Sequence, residues 1–114
     1  MLPGRDAKFL FSYHSNTSCS QTFTMPVRSY APNAFGLYDM HGNVWELCLD
    51  VFAPYTPGPA TDPFVGGGSN RVVRGGGWDS NSNALRSAHR VSANIGAMGF
   101  NLGFRVVLGP ILVP

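Results

Sequence analysis

Residues 33–46 read Asn-Ala-Phe-Gly-Leu-Tyr-Asp-Met-His-Gly-Asn-Val-Trp-Glu, and this stretch decides how the chain folds. Gly42 allows a tight turn because it has no Cβ. Glu46 is the only glutamate in the 114-residue sequence. Backbone carbonyls of the turn and this one carboxylate are placed to converge, as the ligands of a hard cation do. The stretch therefore predicts a tight turn that carries a small cluster of oxygen atoms.

Three further segments follow this turn: Arg-Val-Val-Arg-Gly-Gly-Gly-Trp at 71–78, Leu-Arg-Ser-Ala-His-Arg at 85–90 and Leu-Gly-Phe-Arg-Val-Val at 102–107. In this order the four motifs resemble the C-terminal portion of the sulfatase-modifying-factor family, whose founding member is the formylglycine-generating enzyme. The resemblance covers residues 25–108 and implies a compact, loop-rich α+β fold similar to C-type lectins. Residues 1–24 match none of the motifs. We expect residues 1–114 to form a single domain that lacks the family's usual upstream section.

The composition favours loops and short strands, since fourteen glycines and nine prolines stand against one lysine and one glutamate. Residues 54–70 contain four prolines and three consecutive glycines, which predicts a loop. Residues 71–74 and 104–108 are rich in β-branched side chains and are bounded by glycine, so we predict two strands that are neighbours in a core sheet. Short strands or packed loops are also expected at 9–13 and 23–25, with a turn at 15–18.

Charge and composition exclude several classes of function. The formal net charge of +2 comes from scattered arginines without a basic run, so we expect no nucleic-acid binding. No apolar run approaches the ~20 residues of a membrane span, and no signal peptide is recognised, which predicts a cytoplasmic protein without membrane contact. Cys19 and Cys48 are expected to be reduced, although an oxidising compartment would allow them to pair. The three histidines lack the spacing of a zinc site.

The resemblance also implies a calcium site. In the formylglycine-generating enzyme the matching stretch binds calcium through backbone oxygens and one carboxylate. Carried over, the metal ligands here are the backbone oxygens of Asp39, Gly42 and Val44 and the carboxylate of Glu46. A single acidic side chain predicts weak affinity, on the order of 10⁻⁴ M. The alternative is that Glu46 pairs with an arginine, such as Arg74 or Arg105.

The oxidase reaction of the family depends on residues that this chain lacks. The oxidase members carry a pair of copper-binding cysteines after the Gly-Gly-x-aromatic motif. That stretch reads Trp-Asp-Ser-Asn-Ser-Asn-Ala-Leu here, at 78–85, and contains no cysteine. We therefore predict no bound copper, no catalytic residue and no formylglycine formation. Two alternatives are a truncated or divergent family enzyme, and a fragment that needs the upstream section to fold.

Residues 79–101 predict a ligand-binding surface. They are small, polar and rich in asparagine between the anchors 85–88 and Arg90, and short side chains on a fixed frame are typical of adaptable binding sites. The layout resembles the variable region of diversity-generating retroelement proteins. The ligand, a protein or a small molecule, is not specified by the sequence. The predicted contact residues are Asp79, Ser80, Asn81, Asn83, His89, Val91, Asn94, Phe100 and Asn101.

Other residues allow both a binding and a structural interpretation. Trp45 and Trp78 are either exposed platforms or core residues, and the structural interpretation is favoured because indole rings bury large apolar areas. Arg86 and Arg90 form either an anion pocket or ties between loops and backbone carbonyls. We also expect Trp78 and Phe104 to pack in the core.

Overall fold

The computed structural model describes residues 23–61 and 63–109, which contain one four-stranded sheet. The strands are β1 (Trp45–Val51), β2 (Asn70–Arg74), β3 (Val91–Asn94) and β4 (Leu102–Gly103), in the spatial order β3-β2-β1-β4. These residues contain no helix, so the helical part of the predicted α+β class is not confirmed. Residues 23–25 are not a strand. The predicted strand at 9–13 and the turn at 15–18 lie outside the described residues.

Strand β1 is the centre of the sheet and pairs with two neighbours. It runs antiparallel to β2, with Glu46 opposite Arg74 and Leu47 opposite Val73, and the register shifts before Val51. It runs parallel to β4, which continues the sheet for only two residues. The β1 sequence Trp-Glu-Leu-Cys-Leu-Asp-Val alternates apolar and more polar residues, the pattern of a half-buried strand. This signal was available in the sequence, but we did not predict the strand.

The two predicted strands have different outcomes. Residues 71–74 are confirmed as part of β2. The prediction for 104–108 is wrong, because pairing with β1 stops at Gly103 and the chain leaves the ladder there. The predicted neighbours are also wrong, since β2 lies between β1 and β3 while β4 lies beyond β1. Phe104, expected in the core, is 75% exposed because the residues around it are outside the sheet.

The core of the described residues is small and is centred on β2. Val72 and Val73 are buried, and Leu85 from the following loop is 1% exposed. Gly76, with a φ of +70°, lies directly against this leucine: a Cβ at position 76 would stand 2.7 Å from Cδ2 of Leu85. The Gly-Gly-Gly run before Trp78 therefore brings the backbone close enough for the loop to contribute to the core. Trp78 itself is half-buried.

Ser80, one of the nine predicted contact residues, is buried, with 9% of its surface exposed. The prediction that it belongs to the exposed surface is therefore wrong. Its hydroxyl oxygen accepts a hydrogen bond from the Gly77 N–H at 2.9 Å, and its own N–H donates to the Gly77 carbonyl at 3.0 Å. The pair of bonds closes the turn that follows the glycine run. A serine hydroxyl that serves a local backbone donor is held in place by that turn, so it is turned inward rather than toward solvent.

We expect Gly76→Ala to destabilise the domain more than Gly36→Ala. Both glycines have a φ near +70° to +77°, so both substitutions introduce backbone strain of about 1–2 kcal/mol. Only position 76 adds a clash with Leu85, which costs about 1–3 kcal/mol more, because nothing lies within 4 Å of a Cβ at 36. Urea unfolding measures both free energies. Equal losses would show that Leu85 does not pack tightly against this turn.

We expect Ser80→Ala to lower the free energy of unfolding by about 1–3 kcal/mol, because the buried Gly77 N–H loses its acceptor. Ser87→Ala is the matched control, since Ser87 is exposed and the structure uses its backbone carbonyl, which accepts from Arg74. Its effect should stay within about 0.5 kcal/mol. Thermal and urea unfolding of both variants check this, and a loss for Ser80→Ala as small as the control's would contradict the buried role.

Candidate functional site

The backbone of residues 79–101 is fixed from inside by contacts with the sheet and with the turn before it. Trp78 N–H donates to the Asn43 carbonyl at 2.8 Å, just before the segment begins. Further along, Nδ1 of His41 lies 2.6 Å from the Leu85 carbonyl oxygen, to which it donates. Arg74 Nη1 donates to the Ser87 carbonyl at 2.8 Å. The segment, which consists of loops on either side of strand β3, therefore has a defined path, and its outward side chains have defined positions.

Five of the nine predicted contact residues are exposed on this segment. They are Asp79, Asn81, Asn83, Asn94 and Phe100. The phenyl ring of Phe100 is 77% exposed, and its centroid lies 5.9 Å from that of Trp78. The Phe100 ring therefore contacts a half-buried tryptophan on one side and faces solvent on the other. The five residues thus offer both polar groups and an apolar contact.

The exposed polar side chains also order their own turns. Oδ1 of Asn81 accepts from the N–H groups of Asn83 and Ala84, at 3.1 and 3.3 Å. Oδ1 of Asn94 accepts from Gly96 N–H at 2.9 Å. Short amide side chains commonly form such turns, because they reach backbone donors two residues ahead. A substitution here changes the chemistry of the surface and removes a local turn bond.

Three predicted contact residues are half-buried, and the prediction that they are exposed is not confirmed. His89 lies beside Trp45, with ring centroids 6.0 Å apart. Val91 pairs with Val73 at the edge of the β2–β3 ladder. The Asn101 carbonyl accepts from Trp45 N–H at 2.7 Å, while its side-chain amide donates to the Asp79 carboxylate. All three are tied to the sheet, so they belong mainly to the frame.

Two large apolar residues on the same segment were not predicted. Ile95 is 57% exposed and Met98 is 96% exposed. Both lie in the turn after β3, where the sequence Asn-Ile-Gly-Ala-Met-Gly places glycines at 96 and 99. Closely spaced glycines are a signal for a loop tip, where even apolar side chains face solvent. With Phe100 they give the surface an apolar part.

The two tryptophans and two arginines serve mainly structural roles. Trp45 and Trp78 are half-buried. The Arg90 guanidinium lies 3.9 Å from the ring centroid of Tyr55 and 4.7 Å from that of Phe52, and donates to the Ala53 carbonyl. Arg86 Nε donates to the Asn83 carbonyl at 3.0 Å. The interpretation as a tie to a distant backbone carbonyl is confirmed for Arg90, whereas the Arg86 contact stays within its own turn.

The four predicted calcium ligands do come together, around a cavity of about 240 Å³. They are Asp39, Gly42, Val44 and Glu46. However, the Arg105 guanidinium lies in the same place: it binds both carboxylate oxygens of Glu46 and donates to the Asp39 carbonyl at 3.1 Å. Of the two arginines considered as partners of Glu46, Arg105 forms the ion pair in the structure. With a cationic group on two of the four ligands, the arrangement does not fit an added calcium ion.

Cys48 is the one cysteine within the described ranges, and it is a free thiol. It lies in β1, half-buried, and lines a cavity of about 770 Å³ whose wall also includes Leu47, Leu49 and Val107. Burial raises the pKa of the Cys48 thiol above its ordinary value, an effect that the charge of Arg74 opposes in part. A raised pKa keeps the thiol protonated near neutral pH, and the thiolate is the reactive form. This environment does not activate Cys48.

Two features are absent from residues 23–61 and 63–109. No three His, Cys, Asp or Glu side chains are grouped so that they could hold a metal ion. In the same part of the chain, no helix has the length and apolar character needed to cross a membrane. Copper binding and cellular location stay predictions.

The chain was compared with protein families and with known proteins, and the matches agree on one family. The family described as "Sulfatase-modifying factor enzyme 1-like domain" matches residues 5–109, a range that begins earlier than the motifs indicated. The chain is 47% identical over 88 residues to the formylglycine-generating enzyme of Streptomyces coelicolor, covering 72% of this chain and 28% of that enzyme. It is 44% identical over 93 residues to the serine/threonine-protein kinase pkn1 of Chlamydia pneumoniae, covering 72% of this chain and 14% of the kinase.

A solved structure agrees with the sequence comparisons. Treponema denticola variable protein 1 superposes with a TM-score of 0.73 and 34% identity, over 89% of this chain and 40% of that protein. The present chain thus spans less than half the length of each of these relatives. Because the family match extends over most of the sequence and a solved relative shares the fold, the chain belongs to the sulfatase-modifying-factor family.

Proposed function

We propose that this domain binds a ligand through residues 79–101 and catalyses no reaction on it. One observation carries the proposal. Exposed side chains of varied chemistry lie on a backbone that hydrogen bonds hold to the sheet and to the turn before it. Fixed backbone lowers the entropy cost of binding, and short side chains allow the surface chemistry to change without a change of fold. The surface combines carboxylate and amide groups with the apolar Met98 and Phe100. This combination suits a protein surface as the ligand.

The relatives support a role that does not depend on one chemistry. Proteins named as a formylglycine-generating enzyme, a protein kinase and a variable protein all contain a segment similar to this one. When one fold occurs in proteins with different activities, function depends on local sites rather than on the fold. The similarity to Treponema denticola variable protein 1 favours the idea that residues 79–101 are a diversified surface. The exposed positions Asp79, Asn81, Asn83 and Asn94 would then be among those that vary.

A second candidate is a divergent family enzyme, which the 47% identity to a formylglycine-generating enzyme favours. That reaction needs an activated thiolate. Residues 78–85 contain no cysteine, and the half-buried Cys48 has a raised pKa. The binding function is therefore preferred, because it requires only groups that this segment presents.

We predict no formylglycine formation by the full 114-residue chain. The chain is incubated with copper, oxygen and a Cys-x-Pro-x-Arg peptide, and aldehyde is measured by mass spectrometry. The expected yield equals that of a control without protein, because residues 78–85 contain no cysteine and burial raises the pKa of Cys48. Cys48→Ser is the matched variant. Aldehyde that depends on Cys48 would establish the enzyme and overturn the non-catalytic proposal.

We predict that the exposed positions of residues 79–101 accept new side chains and can create binding sites. A display library randomises six exposed positions: Asp79, Asn81, Asn83, Asn94, Met98 and Phe100. Selection against lysozyme, as a model protein, is expected to yield folded binders. A matched library randomises six buried or half-buried positions and is expected to lose display: Val72, Val73, Gly76, Trp78, Ser80 and Leu85.

The two libraries contrast six exposed positions with six buried or half-buried ones, so display level reports tolerance and enrichment reports binding. If the first library unfolds as often as the second, residues 79–101 are framework and the proposal fails. Diversification has a separate test in the DNA around the gene. It should contain a near-identical repeat of the coding segment and a reverse transcriptase gene, and the absence of both would leave a binding surface that is not diversified.

A further inference from the structure

The Arg105 side chain lies among four oxygen atoms at the tight turn before β1. Its Nε and Nη2 donate to the two carboxylate oxygens of Glu46, the first at 2.6 Å. Nη1 donates to the Tyr38 carbonyl at 2.9 Å, and Nη2 also reaches the Asp39 carbonyl at 3.1 Å. All three nitrogens of the guanidinium are therefore engaged. The planar fork of arginine fits a bidentate carboxylate and two neighbouring carbonyls in a way that a point charge cannot.

We propose that the Arg105 guanidinium is the resident cation of this oxygen cluster and holds the turn to the sheet without a metal ion. The resemblance implies calcium at the same place, and the two cations compete there, because both use the Asp39 carbonyl and the Glu46 carboxylate. The contacts of Arg105 favour the guanidinium.

The charges around the cavity support this choice. Two guanidinium groups, of Arg28 and Arg105, and two carboxylates, of Asp39 and Glu46, line it. These charges cancel. The Asp39 carboxylate is also engaged, since it accepts from the Arg28 backbone N–H at 2.9 Å. A divalent cation would add two positive charges beside Arg105 with no carboxylate left to balance them, and like charges at this separation repel.

The backbone shows what the cluster stabilises. Asp39 has a backbone φ of +54°, in the left-handed region that residues other than glycine rarely adopt. Its carbonyl is held by Arg105 and its carboxylate by Arg28. The strained turn is thus fixed from both sides. The Glu46 and Arg105 side chains are 20% and 34% exposed, so the pair is only partly screened by water. The hydrogen bonds that Arg105 donates to the Glu46 carboxylate raise the pKa of Arg105, which keeps the guanidinium charged.

The test uses the full chain and calcium itself as the probe. Melting temperatures of the wild type, Arg105→Gln and Arg86→Gln are measured in EDTA and in millimolar CaCl₂, with MgCl₂ as the ion control. Arg86 is the matched arginine, because it is exposed and its Nε contacts a single carbonyl. We expect the wild type to melt within about 1 °C in both buffers, since a ligand that does not bind the folded state does not shift its melting. Arg105→Gln should melt several degrees lower in EDTA, and Arg86→Gln should not.

Calcium should then restore part of the melting temperature of Arg105→Gln, because removal of the guanidinium frees the Glu46 carboxylate. The double variant with Glu46→Gln should lose this response. If Arg105→Gln does not fold, Arg105→Lys is measured in its place. Lysine keeps the charge without the planar guanidinium fork, so this variant should melt below the wild type. A wild-type melting temperature that rises with calcium, with Glu46→Gln failing to respond, would overturn the proposal and establish the calcium site. No loss of stability in Arg105→Gln would overturn it as well.

Discussion

Three backbone hydrogen bonds at one turn hold together parts of the chain that are far apart in sequence. They run from Gly42 N to Gly75 O, from Trp78 N to Asn43 O and from Trp45 N to Asn101 O, at 2.8, 2.8 and 2.7 Å. Buried backbone groups must find partners, so each bond constrains the path of both segments that it joins. The start of β1, the glycine run after β2 and the entry into β4 meet here. The sheet, the loop surface and the Arg105 cluster all take their positions from this junction.

The sequence predicts those elements whose signals are local. Strand β2 is an example. Its β-branched residues fit a pleated surface, and the strand has a hydrogen-bonded neighbour on each side, β1 and β3. Residues 104–108 have a similar composition but are not a strand, since strand propensity has an effect only beside a partner. Strand β1 was missed for the opposite reason. It has the alternation of a strand, but its first residues also belong to the oxygen-bearing turn, and the turn was the stronger signal.

The candidate surface follows the same division. Short polar residues such as Asn81 and Asn83 are exposed as their chemistry suggests. His89 and Asn101 also look like surface residues in the sequence, yet each contacts a distant residue that spacing does not reveal, and Ser80 is turned inward by Gly77 within its own turn. The sequence likewise left two arginines, Arg74 and Arg105, as alternative partners of Glu46. Arg74 lies directly across from it in the ladder, but its guanidinium serves loop carbonyls, so the partner is the arginine that follows the parallel strand β4.

The ion pair of Glu46 and Arg105 joins residues that are 59 positions apart, which has a consequence for folding during synthesis. At about 5–20 residues per second, Glu46 is made roughly 3–12 s before the arginine that will bind it. During this interval β1 has no parallel neighbour, and an unpaired strand edge can pair with other chains. Contacts between distant residues also form slowly, because the intervening loop must close first. Until residues 102–105 are made, the edge of β1 that β4 covers in the folded domain has no partner in the chain, so this edge is the part of the sheet most open to pairing with other chains.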